Sequence, residues 1–174
     1  MKKIILSLAV VFTASLTVEA QVNEHAIGLR SGGGGNGYGF GNEISYQHGL
    51  GNSNRLEADL GFRSYGNNRN GAGRTSYMTL TGIHHWVKSI EGGFNWFVGP
   101  GAQLGFASYN YEAFGVTYSD SWVSIGLGGQ IGIEYDFNEF DVPILLGFDI
   151  RPMLYLANGG SNFNGDGALS IRYT

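Results

Sequence analysis

The chain has 174 residues, 43% hydrophobic and 14% charged, with 30 glycines, no cysteine and a formal charge of -4. Without cysteine there is no disulfide, thiolate metal site, catalytic thiol or lipid-attachment cysteine. The mild acidic balance argues against nucleic acid as a partner, and the length suits one domain.

Residues 1–20 combine a basic start at Lys2 and Lys3, an apolar run from Ile4 to Leu16, and the small-residue signal Val18-Glu19-Ala20. This pattern predicts a secretory signal peptide cut between Ala20 and Gln21. Its apolar run falls short of the roughly 20 residues a spanning helix needs. No later stretch is long and apolar enough to be one, so export leads to the periplasm, the outer membrane or secretion.

Residues 21–174 read as eight strand-like segments. The first covers 23–31, and a glycine-rich loop follows at 32–37. In the second, 38–48, Phe40, Ile44 and Tyr46 share one face while Glu43, Ser45 and Gln47 share the other. A tight connection at 49–54 leads into 55–65, where Leu56, Ala58, Leu60 and Phe62 alternate with Arg55, Glu57, Asp59 and Arg63. After a polar loop at 66–74 comes 75–90, whose facing stays open: Tyr77, Thr79, Thr81 and Ile83, or Met78, Leu80 and Trp86, make the outer row. A turn at 91–93 precedes 94–109, with Phe94, Trp96, Val98, Ala102, Leu104 and Phe106 against Gly99, Gly101, Gln103 and Gly105. A loop at 110–119 follows.

The next two segments, within 122–156, carry the clearest pattern. Val123, Ile125, Leu127, Ile131, Ile133 and Tyr135 oppose Ser124, Gly126, Gly128, Gln130, Gly132 and Glu134, with Gly129 interrupting the large row. Beyond a connection at 137–142, Ile144, Leu146, Phe148, Ile150 and Leu154 oppose Gly147, Asp149, Arg151 and Tyr155. A loop at 157–165 precedes the last segment, 166–174.

A soluble barrel buries its aliphatics and has no reason to trim its polar face to glycine. Here the polar face is full of glycine, which makes room where side chains converge inside a narrow barrel. The pattern therefore predicts an eight-stranded antiparallel up-and-down transmembrane β-barrel, all-β, with aliphatics toward lipid. The connections at 32–37, 66–74, 110–119 and 157–165 are mostly longer than the others, which predicts that they face outward and that both termini are periplasmic. Tyr46, Trp86, Phe94, Trp96, Tyr135, Phe137 and Tyr173 fall near the expected periplasmic edge as an aromatic girdle. Pro100 and Pro152 lie inside strands, where bulges are expected.

Gly167-Ala168-Leu169-Ser170-Ile171-Arg172-Tyr173 alternates strictly and resembles the carboxy-terminal signal by which outer-membrane barrels are recognised for insertion, with Gly167, Leu169, Ile171 and Tyr173 carrying it. The aromatic of that signal is usually last, and here Thr174 follows. Together with GIEYDF at 132–137, PILLGFDIRP at 143–152 and LSIRY at 169–173, the mature chain resembles the small outer-membrane β-barrel proteins of the outer membrane protein A/X and opacity-protein type, and more narrowly the single-barrel proteins of Bacteroidetes. The resemblance implies an outer-membrane monomer in contact with lipid and lipopolysaccharide, inserted by the barrel-assembly machinery. Any further partner would be an extracellular ligand reached through the loops.

Few constellations suggest chemistry. Gly39-x-Gly41, Gly99-x-Gly101 and Gly126-x-Gly128 lack the third glycine and following helix of a dinucleotide site. His84 and His85, as strand neighbours, point to opposite faces and cannot both ligate one ion without distortion; one is expected inside and hydrogen-bonded. No cofactor or metal is expected. The inward charges Glu43, Arg55, Glu57, Asp59, Arg63, Glu134, Asp149, Arg151 and Arg172, with Arg30 and Lys88 as further candidates, read as a structural polar core, because eight strands enclose room only for their own side chains and ions removed from water must be paired. The expectation is a non-enzymatic structural or surface-interaction protein with a non-conducting lumen. The alternatives are a lipid A deacylase or acyltransferase, with His48, His84, His85 and Ser76 as candidates, and a lipocalin-like binder of a small apolar ligand.

Overall fold

The structure, a computed structural model, describes residues 21–34, 40–67, 72–113, 116–157 and 160–174. The expected signal peptide, the tips of the four hairpin loops and the facing of Phe40 lie outside the described residues. Eight strands follow one another: β1 (His25–Gly34), β2 (Phe40–Gly51), β3 (Asn54–Asn67), β4 (Ala72–Glu91), β5 (Phe94–Ala113), β6 (Val116–Asp136), β7 (Ile144–Ala157) and β8 (Gly160–Tyr173). Each pairs antiparallel with its neighbours, and β8 returns to β1 through pairs from Ile27 with Tyr173 to Gly34 with Asp166, closing the barrel. Closure leaves no open sheet edge.

The two-residue period turns directly into two surfaces. Ile27, Leu29, Ile44, Leu56, Phe62, Leu104, Leu127, Ile133, Phe148 and Ile171 project outward with about half their surface exposed. A belt of that kind on a soluble surface would be an aggregation hazard; in hydrocarbon it is the stable arrangement. Inside, glycine makes room. A Cβ on Gly132 would fall 2.5 Å from the Phe97 ring, and one on Gly41 would fall 2.3 Å from Arg63 Nε. The open facing of β4 resolves with Met78, Leu80 and Trp86 outward, and Thr81, Ile83, His85 and Val87 buried in the lumen.

At the end bearing the termini, two connections are two-residue turns whose central residues have positive φ: Asn52 and Ser53 (50° and 60°), and Gly92 and Gly93 (55° and 78°). That geometry matches the right-handed twist of the flanking strands. The third is a 3-10 turn, Phe137–Phe140, capped by Asp136, whose side chain accepts from the Asn138 amide. Asn138 Nδ2 donates to Asn23 Oδ1 and to Thr174 Oγ1, so this turn clasps both ends of the barrel. The expected girdle lies here: Phe94 and Tyr135 pair across β5 and β6 with rings 4.5 Å apart, Phe137 abuts Tyr135 at 4.6 Å, and Trp86 and Tyr173 stand exposed nearby.

At the opposite end the segments 66–74, 110–119 and 157–165, expected as loops, are largely strand. β5 and β6 stay in unbroken register for 20 pairs, from Phe94 with Tyr135 to Ala113 with Val116. Their glycine, serine, asparagine and tyrosine carry no alternation, so no period is visible, yet the neighbouring strand supplies the ladder that holds them extended. The outward rows show where the belt stops. Met78, Phe106 and Val123 align across β4 to β6, and the next rows are Ser76, Ser108, Ser121 and then Arg74, Asn110, Ser119. At about 3.3 Å per residue, 20-residue strands exceed the roughly 25 Å apolar band even when tilted, so this wall projects as hairpin arms.

The bulges expected at Pro100 and Pro152 are not there. Register is the same on either side of each proline, and only its own pair and one adjacent pair are missing, between β4 and β5 at Pro100 and between β6 and β7 at Pro152. Pro100 pairs with Gly129 on β6, and the uninterrupted register would set Gly129 beside Pro152. Each strand omits the ladder bonds that proline cannot make and resumes in phase. The register shifts that do occur, at Gly49/Gly51 and Ser89/Glu91, sit beside the tight turns.

Candidate functional site in the barrel lumen

The lumen is filled by arginines bridging carboxylates from different strands. Arg30 on β1 meets Asp149 at 2.6 Å, Glu43 at 2.8 Å and Asp166 at 3.3 Å. Arg151 on β7 donates to Glu43 at 3.1 Å, Glu57 at 3.3 Å, Gln130 Oε1 at 3.3 Å, and also to Asp59. Arg172 on β8 donates to Glu57 at 2.9 Å and to Ser45 and Ser170 hydroxyls. Arg55 on β3 takes both carboxylate oxygens of Glu134, at 2.8 and 2.7 Å, and lies 4.8 Å over the Phe97 ring. Arg63 reaches Asp166 at 3.1 Å and Glu43 at 3.5 Å. Glu43, Glu57, Asp59, Asp149, Arg30 and Arg151 are at most 1% exposed. Charges so far from water need such partners, because each unpaired ion would cost several kcal/mol.

The strand period supplies this placement. Arg55, Glu57, Asp59 and Arg63 share one face of β3, and the antiparallel register sets Glu43 beside Gly61 and Gln47 beside Glu57. Gln47 Nε2 donates to Glu57 at 2.6 Å. His85 is the interior member of the histidine pair. Its Nδ1 accepts from Arg55 Nε at 3.2 Å, so the ring proton sits on Nε2, which faces Gln130 Oε1 at 3.3 Å. Toward the terminal end the lumen turns apolar, with Val22 packed against Val87 and Phe97.

Of the residues singled out from the sequence, Glu43, Arg55, Glu57, Asp59, Arg63, Glu134, Asp149, Arg151, Arg172 and Arg30 all lie in this network, whereas Lys88 lies on the outer row with Trp86. Asp166 was missed, although it shares inward parity with Ala168, Ser170 and Arg172, because it stood at the edge of a stretch that reads as loop. Gly167, Leu169, Ile171 and Tyr173 form the outward row of β8, beside Leu29 and Ile27 of β1. His48 faces outward, its ring 5.1 Å from that of His25, and His84 faces outward against Trp86. Ser76 sits eight residues from His84 along β4, about 26 Å at strand rise, beside Ser64 Oγ at 3.3 Å. The structure therefore brings Ser76 within reach of none of the three histidines. Among the described residues no group of three or more His, Asp or Glu is placed to hold a metal ion.

Above the network, at the hairpin end, the lumen opens into a vestibule of about 330 Å³ bounded by Arg63, Tyr77, Gln103, Trp122, Tyr155 and Asp166. Tyr155 OH donates to Gln103 Oε1 at 2.8 Å, and Gln103 Nε2 donates to Thr81 at 2.7 Å.

No protein-family model matches the chain, and no curated protein sequence does. Solved structures do match. Neisserial surface protein A is 16% identical, with a TM-score of 0.57 over 86% of this chain and 94% of that one. Ail, the attachment invasion locus protein of Yersinia pestis, is 16% identical, with a TM-score of 0.54 over 86% and 95%. The N-terminal β-barrel domain of Pseudomonas aeruginosa OprF is 14% identical, with a TM-score of 0.54 over 88% and 100%. At these identities the likeness is one of fold, and the chain has the fold of the small eight-stranded outer-membrane β-barrels.

Proposed function

We propose that the protein is exported, inserted into the outer membrane through its β8 signal, and serves there as a non-conducting barrel with a structural or surface-interaction role. The observation that carries this reading is the lumen itself, where arginine–carboxylate bridges run from wall to wall across its middle. A conducting pore needs a water column, and eight strands leave none when the interior is filled this way. The closed sheet has no edge to offer a second copy, which favours a monomer whose belt meets lipid and lipopolysaccharide. With the hairpin arms outward and both termini in the periplasm, the polar rows beyond Met78, Phe106 and Val123 form the cell-surface part.

The lipid A enzyme reading is disfavoured because its candidate Ser76 lies out of reach of His48, His84 and His85. A lipocalin-like apolar site would need an apolar lumen, whereas this one is charged through its middle. Reconstitution of the refolded barrel in planar bilayers tests the proposal. The expected trace stays at baseline at physiological salt, and stable large-conductance openings would overturn the plugged-lumen reading.

A further inference from the structure

We propose that the vestibule at the hairpin end is a binding site for a neutral saccharide of one or two rings. The inference deepens the surface-interaction reading and rests on it for access in the cell, though not for binding by purified protein. At about 330 Å³ the cavity lies at the small end of the range of ligand pockets. It occupies the mouth of a β-barrel, a place where such pockets recur.

Its walls offer flat apolar faces. Trp122 of β6 stands edge-on to Tyr77 of β4, ring centroids 6.0 Å apart at 79°, and Tyr155 of β7 stands beyond Gly126. Gly126 is what admits the Tyr155 ring, since a Cβ there would come within 2.9 Å of it. Rigid tyrosine and tryptophan rings give contact area at little entropic cost while keeping a polar handle. They suit the C–H face of a sugar ring.

Between these faces lie polar side chains. Asn164 and Ser124 line the cavity, and no described side chain bonds to theirs. A ring bearing several hydroxyls supplies donors and acceptors together, matching an amide and a hydroxyl. An apolar ligand would take water from the Asn164 and Ser124 side chains and give no hydrogen bond in return, at a cost. A charged ligand has nothing to meet, because Arg63 and Asp166 already neutralise one another at 3.1 Å.

The test uses the full mature chain refolded in a zwitterionic micelle free of sugar headgroups, with ligand-observed saturation-transfer NMR as readout. Probes are maltose, lactose and N-acetylglucosamine, with glucuronic acid as the charged arm and 1-naphthol as the apolar arm. At least one neutral sugar should receive saturation at millimolar concentration and be displaced by another. Trp122→Ala should abolish the transfer, and Asn164→Ala should weaken affinity at least about tenfold, both retaining the heat-modifiable migration of a folded barrel. Should Trp122→Ala not fold, Ser124→Trp, which fills the cavity from its wall, should give the same loss. The idea is overturned by a folded barrel silent to all three neutral sugars, by transfer that survives these substitutions, or by preference for glucuronic acid or naphthol. Silence here would leave the bilayer result untouched, and a conducting barrel would leave sugar binding untouched.

Discussion

Arg55 on β3 holds Glu134 on β6 from one wall of the barrel to the other by two N–H···O contacts of 2.8 and 2.7 Å. The fork-to-fork geometry is the strongest form of ion pair a protein makes, and both side chains are 3% exposed. Removing one partner strands the other. Glu134→Leu should destabilise the barrel by about 3–5 kcal/mol, whereas Arg55→Met combined with Glu134→Leu should cost clearly less. Urea titration of refolded protein measures both; a double variant as unstable as the single one would mean that packing rather than charge governs this site.

Leu127 and Gly128 are chain neighbours on opposite surfaces. Leu127 is 53% exposed on the belt, while a Cβ on Gly128 would fall 2.1 Å from the Pro152 carbonyl oxygen and 2.9 Å from Met153 Sδ. Leu127→Arg should cost about 2–4 kcal/mol near the bilayer middle, and Leu127→Phe should be nearly neutral because lipid accommodates the larger group. Gly128→Leu should cost roughly 1–3 kcal/mol or more by overpacking. A harmful Leu127→Phe beside a harmless Gly128→Leu, in the same titration, would turn the barrel outside in.

Tyr173 stands 65% exposed between Ile27 of β1 and Ile144 of β7. We expect Tyr173→Asp to reduce assembled protein severely, both by placing a charge on the lipid surface and by spoiling the proposed insertion signal. Immunoblots of outer-membrane fractions decide it. Unchanged levels of heat-modifiable protein would assign the signal elsewhere.

Amino-terminal sequencing of the protein from outer membranes should begin at Gln21. Recovery of Met1 from that fraction would reject cleavage after Ala20.

The alternation that declares the barrel is strongest where both faces are extreme, as from Val123 to Gly128, and those strands were legible residue by residue. It fades on β4, because threonine and tyrosine are at home on either surface and because Ile83 and Val87 sit in a lumen whose middle is charged. It disappears in the hairpin arms, where water bathes both faces and only the neighbouring strand enforces extension. That is why Asn162 and Asn164 read as loop and Asp166 as the first residue after it, and why the vestibule had no signal in the sequence. Which carboxylate each arginine meets is likewise set by barrel closure: Arg30 and Asp149 are 119 residues apart in the chain.

Barrel closure also orders events in time. The 20 in-register pairs of β5 and β6 are local contacts, which form early because little chain must be gathered to make them. The eight pairs of β1 with β8 join opposite ends of the chain and come late. Until then both edges remain open templates for pairing with another chain, and Arg30 lacks the carboxylates of β7 and β8 that hold it. Arg30 thus acts as a latch, its charge compensated by those strands only at the final step. An Arg30→Met change, which removes the charge at similar length, should therefore slow the last phase of assembly while leaving the early hairpin phase alone, which hydrogen exchange pulsed during refolding would distinguish.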